Sequence, residues 1–409
     1  MLTDEQLARL IRELETSVDP DATPIVRAFD RIDADRQLVL RRRRQPWWLR
    51  ILPGPRSLDL GLRPVRLLML VSLVVGMLLG GLIVAGVLRP SEPPLNKLDL
   101  VVRPAASVDL PGRPYSMAVD GGSLWVANGN VVSRIDPATA KVQATIPTGS
   151  GAASVGAGPA GLWVASLDAG MVSRVDAVTN TLTEPTPVAS PEFLAVGAAD
   201  VWVASPTTGR VTRIDAATGR IAASVLVGGA PSQPVVGLGS VWIPHDCRIS
   251  TQGRKAGVVT RIDIATNRVV GEISGGTQAC VHTVVVSSGE VWFTDSNDGT
   301  LTQIDPATNA ILRTLSIGED ARGIVDMRAG GSRYGVPGAL WLTVNPSFGQ
   351  SGIALVDPVA GKVVAFLDLG VAPQASTVGL TDLFELDGSV WVAADVSEQP
   401  AVWRIDPAP

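Results

Sequence analysis

The chain has 409 residues, 46% hydrophobic and 18% charged, a balance that excludes disorder as its main state and fits globular protein plus one membrane segment. The formal charge of −5 divides unevenly: residues 1–40 hold five arginines against nine acids, residues 41–66 eight arginines against Asp59 alone, and the chain from Arg89 onward 21 basic against 29 acidic residues. That last, acidic region offers no stripe of cations to neutralise phosphates, which argues against nucleic acid as a partner.

Residues 1–66 read as a cytosolic tail. Thr3 opens a helix with a capping box to Gln6, and Leu7, Leu10, Ile11, Leu14 and Val18 recur at helical spacing. A second short helix is expected from Thr23-Pro24, carrying Ile25, Val26, Phe29 and Ile32. The apolar stripe is either a docking surface for a cytosolic partner or the seam of a weakly ordered pair packed on itself. Arg41–Arg44, Trp47, Trp48, Arg50, Arg56, Arg63 and Arg66 then form a basic and aromatic run suited to an anionic inner leaflet. Residues 67–88, LLMLVSLVVGMLLGGLIVAGVL, carry no charge and at about 1.5 Å per residue are long enough to cross a hydrocarbon core of about 30 Å. Eight arginines precede this segment, whereas Arg89, Glu92, Lys97 and Asp99 follow it, so the N-terminus is expected in the cytoplasm and the C-terminal region outside. With 66 residues ahead of it, the segment reads as a single-pass signal anchor and not as a cleaved signal peptide. Pro90, Pro93 and Pro94 stiffen the spacer 89–104.

Residues 105–409 are built of seven repeats. Trp125, Trp163, Trp202, Trp242, Trp292, Trp341 and Trp391, each inside a short apolar run, alternate with Asp136, Asp176, Asp215, Asp263, Asp305, Asp357 and Asp406. Each repeat reads as an inner apolar strand, a Trp strand, a strand ending in the Asp, and an outer strand, with Gly, Asp and Asn at the turns. Four strands per unit of about 40 to 50 residues, with no helical pattern between units, point to an all-β, seven-bladed β-propeller behind the transmembrane helix and short helical tail. The seventh unit reaches Asp406-Pro407 without a fourth strand, and Ser107–Pro114 aligns with the outer-strand stretch Ser224–Pro231. This N-terminal strand is therefore expected to complete the last blade and close the ring, removing two exposed sheet edges. The seven aspartates are expected to cap turns and the tryptophans to fill the space between blades.

The units LWVANGNVVSRIDPATAKVQATIPTG and VWVASPTTGRVTRIDAATGRIAASVLVG resemble YVTN-type repeats and, more loosely, those of the streptogramin lyases, both families of seven-bladed propellers. The resemblance covers about residues 107–409. For the lyases it implies a metal-assisted site at one channel mouth, with Tyr and His at the starts of inner strands and a Glu after a Trp strand. By that resemblance Tyr115 in Pro114-Tyr115-Ser116-Met117 matches the tyrosine position and His282 in Val281-His282-Thr283-Val284 a histidine position. Arg322 stands where a second histidine is looked for, so the pair is incomplete.

The chain's two histidines, His245 and His282, and two cysteines, Cys247 and Cys280, fall at one blade junction. The loop after a second strand and the approach to the next first strand share a face, because alternate strand ends do. Outside the cytoplasm Cys247 and Cys280 are expected to pair as a disulfide. His245, Asp246, His282 and Asp295 bring imidazole and carboxylate suited to zinc or a similar divalent ion. The plainer alternative has both histidines bonding loop backbone, with no cofactor. The separation from Trp to Asp is 21 residues in blade 4 and 16 and 15 in blades 6 and 7, against 11 to 13 elsewhere. Inserts on one face of a regular scaffold mark a binding surface, and Asp246, Arg248, Arg254, Lys255 and Arg322 are the candidate binding residues there. The reading is a binding or sensing module for an extracytoplasmic protein, glycan or small ligand. The competing reading is an enzyme, lyase-like or metal-dependent, using Tyr115, His245 and His282 at the channel mouth.

Overall fold

Short β-branched runs separated by Gly, Asn and Asp turns fold as successive antiparallel hairpins, and here they stack into seven sheets. The computed structural model describes residues 100–101 and 105–406, less 184, 246–256, 277–278, 318–322, 332–335, 337, 345–350, 372–378 and 397–398. The expected tail, the 67–88 segment and the spacer up to residue 99 lie outside the described residues. Among the described residues no helix is long and apolar enough to cross a membrane.

Blade 3 shows the pattern, with Phe193–Val196, Asp200–Ser205, Arg210–Asp215 and Ile221–Leu226 paired antiparallel in that order. The first strands of the other blades are Pro114–Asp120, Ala152–Gly158, Val235–Gly237, Val281–Ser287, Ile324–Ala329 and Gly379–Leu386, and they neighbour one another around the centre. Blade 7 takes its fourth strand from the other end of the repeat region: Ala106–Asp109 pairs with Gln399–Ile405 through Ser107↔Trp403 and Val108↔Val402. Bonds from Ala105 N to Arg404 O (2.7 Å) and from Leu110 N to Pro400 O (3.0 Å) extend this closure. One strand differs from the expected spacer. Leu100–Val101 lies parallel on the outer strand of blade 6, Lys362–Val371, with Leu100 opposite Leu367. That outer strand runs ten residues, and its open edge offers backbone groups for the passing chain to pair.

Each Trp of the ladder is buried and packs against the following blade: Trp202 on Val241, Ile243 and Ile262, and Trp391 on Leu124, Val126 and Ile135 across the closure. A guanidinium lies over several of these rings, that of Arg134 at 5.1 Å, Arg213 at 5.4 Å and Arg261 at 4.8 Å from the centroid. The same arginines reach the turn of the next blade. Arg213 Nη1 donates to Ile264 O and Asn267 Oδ1, both at 2.9 Å, while Nη2 pairs with Asp200 at 2.7 Å. Arg134 reaches Ala177 O at 2.8 Å, and Arg261 reaches Pro306 O and, at 2.9 Å, Asn309 Oδ1. The turn they grip is held by its aspartate, whose carboxylate accepts backbone N–H groups, as Asp136 does from Ala138 at 2.8 Å and Asp263 from Thr266 at 2.8 Å. Four residues on, the chain takes a left-handed residue (Asn180, Asn267 and Asn309 at φ 54, 57 and 64) that asparagine tolerates better than most side chains. Asp406 departs from this pattern and bonds Ser389 Oγ and Arg404.

Candidate functional site

A β-bulge recurs at the start of the first strand in blades 1, 2, 5, 6 and 7, where the pairing register slips between Pro114/Ser116, Ala152/Ser154, Val281/Val284, Ile324/Asp326 and Leu380/Asp382. A bulge re-aims the residue it leaves unpaired. The bulged residues are Tyr115, Ala153, His282 with Thr283, Val325 and Thr381, and all six line one recess at the channel mouth. The recess holds about 80 Å³, and blades 3 and 4 complete it with Phe193, Ser232 and Gln233. Every blade therefore contributes to it at the same level. Hydrogen bonds stitch this inner ring: Ser116 Oγ to Val155 O (3.1 Å), Gln233 Nε2 to Leu194 O (2.6 Å), Ser296 Oγ to Ile324 O (2.7 Å) and Thr381 Oγ1 to Pro114 O (3.1 Å).

One wall of the recess is a charged cluster. Arg328 Nη2 pairs with Asp382 Oδ1 at 2.7 Å and its Nε with Asp326 Oδ2 at 3.0 Å, and its guanidinium lies 4.8 Å from the Phe384 centroid. Asp382 Oδ2 accepts Met117 N of blade 1 at 2.7 Å, so this one carboxyl ties blades 6, 7 and 1. Burial pushes the Asp382 carboxyl up to about 8, against the pull of the Arg328 guanidinium and with the push of the Asp326 carboxylate. Burial opposes charge on Arg328, but the two carboxylates outweigh it and hold its pKa above the ordinary value. These three residues escaped the sequence reading. Their signal is there, since Ile324-Val325-Asp326-Met327-Arg328 carries two charges where the first strand of blade 2, Ala152-Ala153-Ser154-Val155-Gly156, carries none.

The structure brings together Tyr115 and His282, both lining the recess. Tyr115 is 46% exposed, with the guanidinium of Arg113 5.6 Å from its ring centroid, and Arg113 pairs with Asp395 at 2.9 Å. His245 does not line the recess: it is fully buried, bridges to Pro231, and its Nε2 lies 2.8 Å from Thr260 Oγ1. Asp295 is buried and accepts Cys280 N at 3.0 Å and Asn297 N at 2.9 Å. Asp246, Cys247, Arg248, Arg254, Lys255 and Arg322 lie outside the described residues. Cys280 is buried and is not a free thiol. Among the described residues no group of three or more His, Cys, Asp or Glu side chains is placed to hold a metal ion.

Fold and recess together define a seven-bladed β-propeller with a polar, bulge-lined mouth at one end of its channel. Solved structures agree on the fold. The chain is similar to virginiamycin B lyase from Staphylococcus aureus (TM-score 0.57, 16% identity, 74% of this chain and 99% of that one) and to a streptogramin B lyase (0.58, 18%, 73% and 97%). It is also similar to the hydrazine synthase of Kuenenia stuttgartiensis (0.56, 20%, 72% and 96%). At these identities the likeness is one of fold. No family model and no curated protein matches the sequence.

Proposed function

We propose that this chain is a single-pass membrane protein whose propeller, outside the cytoplasm, binds a ligand at the channel mouth. The observation that carries the reading is the repeated bulge: five blades break their sheet register at one level, and each break turns a side chain into the same recess. A regular ladder would be the more stable course for a purely structural ring, and bulges gather where a side chain is re-aimed for use. Membrane anchoring rests on the uncharged segment 67–88 and the arginines before it. Protease protection of right-side-out vesicles tests it: the propeller should be cut from outside and residues 1–66 spared, and the reverse pattern would overturn the topology. A thermal-shift screen of glycans, peptides and metabolites on the full-length chain tests binding. Hits should vanish in Tyr115→Ala/His282→Ala, and hits that persist would move the site elsewhere.

One observation favours a second reading, a lyase-like activity: Tyr115 and His282, the two positions matched in the lyase pattern, share the recess. Turnover of virginiamycin B that is lost in His282→Ala would establish it. We further propose that Cys280 pairs with Cys247, across the 33-residue separation of the only two cysteines in the sequence, worth about 3 to 4 kcal/mol in the chain-entropy model. The helical tail is proposed to dock a cytosolic partner, and a partner captured by residues 1–40 but not by their Leu10→Asp form would support that.

A further inference from the structure

Three groups on the recess wall are built to hydrogen-bond and have no partner among the described residues. Ser232 and Thr283 are 2% and 4% exposed and line the recess, yet neither hydroxyl makes a hydrogen bond within the described residues, although Ser232 N is bonded to Pro244 O at 2.8 Å. Arg328 commits Nε and Nη2 to the two carboxylates and leaves the N–H groups of Nη1 without an acceptor among the described residues. None of the three groups is sealed from solvent, and the Arg328 side chain is 27% exposed; three hydrogen-bonding groups that open onto one small recess point to a ligand that supplies hydrogen-bonding oxygens.

The charges narrow its chemistry. An anion entering the recess meets the Asp326 and Asp382 carboxyls, and a cation meets the Arg328 guanidinium, each already paired with the other. Asp382 is pushed up to about 8, which holds a proton on the cluster near neutral pH and brings its net charge close to zero. The favoured guest is therefore uncharged. It also meets rings, since Phe193 lines the recess and Tyr115 stands at its rim half exposed. A sugar offers both surfaces at once: hydroxyls that donate and accept, and a C–H face that lies flat against an aromatic ring.

We propose that the channel mouth binds an uncharged sugar ring, its hydroxyls held by Ser232, Thr283 and Arg328 and its apolar face set against Tyr115. The proposal rests on the reading of the recess as a binding site and names its ligand class. Saturation-transfer NMR on the full-length chain, in a detergent without sugar headgroups, tests it with glucose, galactose and N-acetylglucosamine, and with choline, inorganic phosphate and an acetylated dipeptide amide as contrasts. At least one sugar should receive saturation at its ring-face protons. The Ser232→Ala/Thr283→Val double variant, which keeps side-chain volume and so the fold, should weaken that sugar about tenfold, the equivalent of about 1.4 kcal/mol for two neutral hydrogen bonds. Sugars that show no transfer, while a contrast probe binds and responds to the double variant, would overturn the sugar assignment and leave the recess a binding site. If no probe of any class gives transfer, both the assignment and the binding reading fail. An unchanged melting temperature in the double variant separates loss of contact from loss of fold.

Discussion

Replacing Arg213 by lysine separates the geometry of the inter-blade staple from its charge. Lysine keeps the cation for Asp200 but has no planar fork, so the two 2.9 Å bonds from Nη1 to Ile264 O and Asn267 Oδ1 are lost. At about 0.5 to 1.5 kcal/mol for each bond and about 0.5 to 1 kcal/mol for the guanidinium over Trp202, Arg213→Lys should cost about 1.5 to 4 kcal/mol. The molecule contains its own control. Arg174 occupies the same position in blade 2 but is exposed and makes no such reach, and the blade 3 turn carries Gly219, without a side chain, where the blade 4 turn offers Asn267 Oδ1. Arg174→Lys should therefore stay within about 0.5 kcal/mol of the parent, as ordinary surface changes do. Urea titration followed by tryptophan fluorescence gives both values. Equal losses for the two variants, or an Arg213→Lys protein as stable as the parent, would refute the staple.

Deleting residues 105–112 removes the fourth strand of blade 7 together with buried Val108 and Leu110, and the propeller should melt early; an unchanged melting temperature would show that the ring closes without that strand. Stability should also vary with pH in a defined way. The turn carboxylates of Asp215 and Asp263, held low by the Thr218 and Thr266 hydroxyls, contribute stability above the ordinary carboxylate range that is lost as pH falls through their folded values. Asp382 runs the other way: raised by burial to about 8, it favours the folded state below the ordinary carboxylate range and loses that contribution as pH rises from about 4 to about 8. Asp382→Asn should flatten the alkaline side of a urea-midpoint profile, and a variant with the parent's profile would remove the protonated carboxyl. Under non-reducing conditions the unfolded chain should show no reactive thiol if Cys247 and Cys280 are paired, and reduction should lower the melting temperature; two thiols titrating at once would contradict the pairing.

The blade pattern was legible because period-two strands, turn aspartates and buried tryptophans are local signals repeated seven times. Ring closure was legible too, since Ser107–Pro114 carries the outer-strand pattern far from the blade it completes. The site was legible only in part. Tyr115 and His282 stand out as residue types at the start of inner strands, whereas Ser232, Thr283 and Thr381 are ordinary in composition. Thr283 and Thr381 owe their place in the recess to bulges that shift register by one residue, and Ser232 to the approach to the blade 4 inner strand; alternation alone encodes neither. His245 shows the converse: a rare residue at a blade junction, yet its ring is taken into the core beside Thr260. Leu100–Val101 escaped because pairing along the edge of blade 6 depends on where the closed ring leaves that edge, a tertiary fact.

Ligand is expected to enter at the bulged ends of the first strands. Hydrogen–deuterium exchange on the full-length chain with and without a screening hit measures this directly. Added protection is expected in peptides spanning 114–118, 281–284, 324–328 and 379–383. Protection confined to outer strands, such as Lys141–Pro147 or Ile221–Leu226, would contradict it.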